Sequence, residues 1–139
     1  MVTRENFDQI YYLNKELEMW VKKKCEVDYG LKSPQLDKVG KAHSPANSAE
    51  RQVMIRLQIS EHIESILDSI QEERAKVYKA LELINDSLLR QIIEYRCVQL
   101  CSWQEVANAI GHGSADAVKK TYYRAFDKDG NLEEKYLKQ

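Results

Sequence analysis

The run Ser102-Trp-Gln-Glu-Val-Ala-Asn-Ala-Ile-Gly-His-Gly-Ser114, continued by Ala-Asp-Ala-Val-Lys-Lys-Thr-Tyr-Tyr-Arg-Ala-Phe126, decides the reading of this chain. Ser102 followed three residues later by Glu105 has the form of a capping box, which starts a helix by satisfying its first free N–H groups. The helix it opens is short, about 103–110, with Val106, Ala107 and Ile110 as its inward face. Ala107 is small enough for a following helix to approach closely. Gly111 and Gly113 flank His112 and supply the backbone freedom of a tight turn. Ser114 then caps a second helix, and Asp116 in its first turn suits the positive end of the helix dipole. Val118, Tyr122 and Ala125 recur at steps of four and three and form its core face, extended by Phe126.

That arithmetic leaves Ala115, Asp116, Lys119, Lys120, Tyr123, Arg124 and Asp127 on the outward side. Two helices joined by a tight turn, with cations on the free face of the second, is how a helix-turn-helix sets a recognition helix in a DNA groove. Lysine and arginine neutralise phosphates, and arginine can also read a guanine edge in bidentate fashion. Tyr123 can bond a phosphate or touch a thymine methyl, and Asp116 can accept from a cytosine amine. The plainer reading of the same face is a solvated helix surface with ordinary lysines.

Composition sets the limits on that expectation. The chain has 139 residues, 31% of them charged and 43% hydrophobic, enough for one ordinary domain or a small domain with a helical extension. Five glycines and two prolines favour long helices over a turn-rich sandwich. The net charge of −1 excludes a global polycationic field, so nucleic-acid binding must come from a local patch. Three cysteines, Cys25, Cys97 and Cys101, make no disulfide framework, and no secretory pattern precedes them. The expected location is therefore the reducing cytoplasm, with no membrane span, since the longest apolar runs are only a few residues.

Upstream the chain reads as a helical arm over 1–84. A first helix is expected over about 3–27, with Ile10, Leu13, Leu17, Trp20 and Val27 as its stripe. Phe7, Tyr11 and Val21 flank that stripe, and Glu16, Glu18, Lys22 and Lys23 hold the wet side. A polar linker follows over about 28–48, where Gly30, Pro34, Gly40 and Pro45 fall among polar residues. A long helix is expected over about 49–84. Ile63, Ile70, Val77 and Ile84 lie seven apart in it, with Ile59, Ile66 and Ala80 between and Leu67 and Leu81 beside them. Arg56 and Glu73 interrupt this seam. A seam of that length packs on another helix, either the first helix folded back or the same helix of a second subunit as a homodimer. A third helix is expected from an Asn85 or Asp86 cap to about Gln99, with Leu88, Leu89, Ile92, Ile93 and Tyr95 inward. Residues 85–130 then form the helix-turn-helix domain and 131–139 a frayed C-terminal tail containing Glu133, Glu134, Lys135 and Lys138. The fold class is all-α: a helical hairpin or coiled-coil arm followed by that domain.

Tyr95-Arg96, Ser102 through Ala107, Ile110-Gly111 and Val118 through Ala125 resemble region four of bacterial sigma factors. Over its whole length the chain is similar to the ArpU/RinA family of phage transcriptional regulators, which join a helical region and a polar linker to such a motif. Ser33-Pro34 and Asp37-Lys38-Val39 in the linker fit this. The resemblance implies a phage-encoded, sequence-specific DNA-binding regulator of late genes, working at the nucleoid of a bacterial host. By position, Ser114, Lys119, Lys120, Tyr123 and Arg124 would line the groove, and Trp103 and Gln104 would sit near a phosphate. Arg96 matches an arginine of the motif and is expected to pair with Glu105, with phosphate contact the alternative. Leu100 stands where these motifs often carry glycine, and Tyr122 is larger than the usual aliphatic residue. Two rival roles stay open: a small terminase-like component that recognises DNA for packaging, and a module that touches host RNA polymerase with little DNA affinity.

Other constellations are weaker. Cys97, Cys101 and His112 lack a fourth zinc ligand and read as small buried hydrophobes and a turn residue. Asp127-Lys-Asp-Gly-Asn131 opens like a calcium loop, but Leu132 and Lys138 stand where that loop needs glycine and glutamate. Gly130 is expected to stop the last helix. His43, His62 and His112 have no nucleophile with a credible base, and no phosphate-cradling loop is present, so neither an enzyme nor a cofactor is expected.

Overall fold

The computed structural model describes residues 2–29, 45–111 and 113–139. Among them every regular element is helical, so the chain is all-α. The elements are α1 (Arg4–Asp28), α2 (Pro45–Leu83), α3 (Ser87–Ile93), a π-helical turn (Glu94–Val98), α4 (Trp103–Ile110), α5 (Ala115–Arg124) and a 3₁₀ turn (Glu134–Tyr136). No helix among the described residues is long and apolar enough to cross a membrane. Most of the expected linker, including Ser33-Pro34 and Asp37-Lys38-Val39, lies outside the described residues.

The chain divides into two compact units: residues 13–69, and residues 1–12 together with 70–139. In the first, segments of α1 and α2 meet in antiparallel order. Trp20 stacks on His62, with ring centroids 4.6 Å apart and planes 15° from parallel. Asp28 pairs with Arg56 at 3.4 Å, which gives the interrupting arginine of the seam a partner. Ile59 and Ile66 are buried, while Leu13, Leu17 and Ile63 are half-buried. The flank residue Val21 is exposed, as is Leu67. The helix α2 starts at Pro45, four residues ahead of the expected boundary. Proline suits the first position of a helix because its missing N–H would have no partner there.

The second unit holds the larger core. Phe7, Ile10, Val77, Ile84, Leu89, Ile92, Ile93, Val106, Val118 and Ala125 are almost wholly removed from water. Asp86 caps α3 by accepting from the Leu88 N–H at 2.9 Å. The expected helix over 87–99 is not α-helical throughout. It widens at Glu94, where the Gln99 N–H reaches back five residues to the Glu94 carbonyl. Leu100 then adopts φ 59°, and the Cys101 N–H closes on the Tyr95 carbonyl at 2.9 Å. This is the left-handed helix stop that glycine usually fills. Here a leucine holds it, and burial of part of its side chain against the core offsets the roughly 1 kcal/mol of backbone strain.

The C-terminus corrects two expectations. Residues 131–139 are not frayed. They cross the unit as a strap, with bridges Thr3↔Asn131, Phe126↔Leu132 and Ile84↔Leu137. The Leu132 N–H donates to the Val2 carbonyl, Glu133 N–H to Ala125, Asn85 N–H to Tyr136 and Lys138 N–H to Leu83. The charges of Glu133, Glu134, Lys135 and Lys138 suggested a solvated tail, but Leu132 and Leu137 between them pack on the core. Gly130, at φ 85°, does not stop α5, whose last helical residue is Arg124. It sits in the turn that starts the strap, where the Asp127 carboxylate accepts from the N–H groups of Asp129 and Asn131. Leu132 is 6% exposed, so Leu132→Ala should cost about 2 kcal/mol or more in urea denaturation. A loss below roughly 0.5 kcal/mol, the ordinary surface value, would mean the strap is not part of the core.

Candidate nucleic-acid interface

The two-helix segment is built from the caps the sequence carries. The Ser102 hydroxyl accepts from the Glu105 N–H at 3.2 Å, and the Glu105 carboxylate accepts from the Ser102 N–H at 3.1 Å. Gly111 ends α4 in the left-handed conformation at φ 71°, its N–H on the Ala107 carbonyl. Gly113 has φ 68°, the left-handed region that favours glycine, and a Cβ there would meet the Ala117 Cβ tightly at 3.2 Å. The Ser114 hydroxyl accepts from the Ala117 N–H at 3.2 Å and opens α5. The helices α3, α4 and α5 pack against one another. Val106 and Ala107 are buried at this junction together with Val118, Tyr122 and Ala125.

The hydrogen bonds to Ser102 hold the Glu105 carboxyl below its ordinary pKa. A depressed carboxyl stabilises the fold fully above its unfolded pKa of about 4.3, and that contribution is lost as pH falls through the lower folded value. Glu105→Gln should therefore melt below wild type at about pH 6, because the charge also favours the helix N-terminus. The gap should close on acidification below about pH 4.3. A gap that persists unchanged in acid would show that the charge plays no part.

Aromatic residues cement the motif to the rest of the unit. Tyr122 meets Phe126 edge-on at 5.2 Å, and Phe126 meets Phe7 of α1 edge-on at 5.9 Å. The size of Tyr122 is accommodated by the Cys97 thiol, which donates to its hydroxyl at 3.7 Å. Burial pushes the Cys97 thiol up to about 12 and raises the Tyr122 phenol as well, so both stay protonated. Cys101 is half-buried. Among the described residues no group of three or more His, Cys, Asp or Glu is placed to hold a metal ion.

Arg96 does not pair with Glu105. Its guanidinium lies 4.5 Å from the centroid of the Trp103 ring and donates from Nη1 to the Cys101 carbonyl at 2.9 Å. The Glu105 carboxylate instead closes the capping box on the Ser102 N–H. Trp103 is half-buried, with Tyr122 and Tyr123 at 5.5 and 6.1 Å from its ring. Gln104 is exposed and donates to Asn108 along its own helix.

On α5, Ser114, Asp116, Lys119, Lys120, Tyr123 and Arg124 are exposed and Ala115 is half-buried. Lys120 pairs with Asp116 one turn back at 3.1 Å, both well exposed. That engages the carboxylate expected to meet a cytosine. Lys119 and Arg124 form no ion pair among the described residues. Tyr123, 43% exposed, carries the Arg4 guanidinium 5.3 Å from its ring centroid. Burial raises the Asp8 carboxyl above its ordinary value against the pull of Arg4 and Arg96. A cleft of about 430 Å³ is lined by Asp8, Arg96 and Tyr123 among others. The contribution of α1 to this face was not legible in sequence spacing, because Arg4 and Tyr123 belong to opposite ends of the chain. Compared with protein-family models, with curated proteins and with solved structures, the chain matches none.

Proposed function

We propose that this chain is a sequence-specific duplex-DNA-binding protein that regulates transcription, with α5 as its recognition helix. One observation carries the reading: α5 buries Val118, Tyr122 and Ala125 while leaving Lys119, Tyr123 and Arg124 exposed behind a capped, glycine-turned α4. A helix seated this way can enter a major groove with its supporting helix across the backbone. The resemblance to sigma region four and to the ArpU/RinA regulators extends the proposal to late-gene control in a phage-infected bacterium. Ser114 and Ala115 stand at the helix end nearest the bases, and Trp103 and Gln104 at the start of the supporting helix. Host RNA polymerase is the second partner the resemblance offers.

Selection of bound duplexes from a randomised library tests this. The expected result is enrichment of one short motif, with affinity for it falling steeply as salt rises. A library that stays unenriched through successive rounds would overturn the reading in favour of a protein-contacting module.

A further inference from the structure

The outward face of α5 has a neighbour from the other end of the chain. The Arg4 guanidinium rests 5.3 Å from the Tyr123 ring centroid, and Tyr123 is itself on the exposed side of α5. The backbone beneath Arg4 is fixed. Its N–H donates to the Gly130 carbonyl at 2.8 Å, Thr3 bridges Asn131, and Phe7 and Ile10 are buried a turn or two further on. The backbone of Arg4 is thus anchored at the start of the strap, and its guanidinium lies over the Tyr123 ring. Cation–π attraction to a ring does not consume the N–H groups of a guanidinium, which can still donate hydrogen bonds. Arg4 forms no ion pair among the described residues. Asp8, the carboxylate one turn along α1, is close enough to feel its charge without pairing to it.

From this placement we infer that Arg4 is a DNA-contacting residue: it binds a backbone phosphate beside the groove that α5 enters. The inference rests on the proposed function and deepens it. An arginine held over a ring face is suited to the bidentate geometry of phosphate and loses less side-chain freedom on contact than an unrestrained one. It also adds a cation to a face whose Lys120 is already paired with Asp116, in a chain of net charge −1. The contact is to phosphate, so it contributes affinity and orientation and leaves sequence preference unchanged.

The test is fluorescence anisotropy of the full chain with a labelled mixed-sequence duplex and with a selected duplex, across a salt series. The proteins are wild type, Arg4→Ala, Arg4→Lys and Lys119→Ala, each with its melting temperature measured. Arg4→Ala should bind both duplexes about fivefold more weakly and flatten the log–log salt dependence by about one, as loss of one phosphate contact requires. Arg4→Lys should keep the slope, and melting should hold in both. If Lys119→Ala weakens binding while Arg4→Ala leaves affinity and slope unchanged, Arg4 is no contact and the recognition helix stands alone. Equal loss of affinity in Arg4→Ala and Arg4→Lys with the salt slope unchanged in both would also overturn the inference, since no phosphate charge would then be neutralised at this position. Failure of the wild-type chain to bind either duplex would overturn the proposed function itself.

Discussion

Replacing Lys119 and Arg124 together with alanine should weaken binding to the selected duplex by about 2–4 kcal/mol, roughly thirtyfold to a thousandfold. Each side chain is exposed and neither has an ion-pair partner to lose among the described residues. Surface substitutions of that kind change folding stability by no more than about 0.5 kcal/mol. The loss of binding should therefore appear with an unchanged melting temperature. The two positions separate by mechanism. A contact to a base edge costs affinity for the selected duplex alone, whereas a contact to phosphate costs it for every duplex and shallows the salt dependence. Arg124 near the helix end is suited to either role, and Lys119 in the middle turn is the stronger candidate for a base. Electrophoretic mobility shift with the single and double variants checks this. Equal shifts by wild type and double variant would remove α5 from the interface.

The largest effect on folding is expected at Phe7. Its ring is fully buried and meets Phe126 edge-on, and Phe126 in turn meets Tyr122 of α5. Phe7→Ala should cost about 3–5 kcal/mol, combining lost burial with the cavity left behind. Edge-to-face pairs add roughly 0.5–1.5 kcal/mol to that range's basis beyond the area they bury. Because the start of α1 belongs to the same compact unit as α3, α4 and α5, the loss should be read in that unit's unfolding by urea. DNA affinity should fall in parallel. A cost below about 1 kcal/mol would mean that this helix start is not part of the core.

Much of this was written locally in the chain. Ser102 with Glu105, Gly111, Gly113 and Ser114 act through neighbours within four residues, so capping chemistry and periodicity locate α4, the turn and α5 from sequence alone. Of the seven-residue series Ile63, Ile70, Val77 and Ile84, the last three are buried and Ile63 is half-buried. What local reading misses depends on distant partners. The widened turn at Glu94–Val98 and the left-handed Leu100 that follows it carry no glycine to mark them in the sequence. The strap reads as a solvated tail because its charges outnumber Leu132 and Leu137, yet its backbone groups find partners at Val2, Leu83, Asn85 and Ala125. Arg96 lies over Trp103 and bonds the Cys101 carbonyl, while Glu105 serves its own helix cap, a division of partners that residue type alone does not fix. The outward face of α5 follows from counting, but its neighbour Arg4 does not, since no spacing rule relates the two.

The most direct measurement is an NMR titration of the ¹⁵N-labelled chain with the selected duplex. The largest amide shifts should fall on Ser114 through Arg124, with smaller ones at Trp103 and Gln104, while the 13–69 unit stays unmoved. Shifts confined to that unit, or an α5 whose amides do not respond at saturating duplex, would contradict the account.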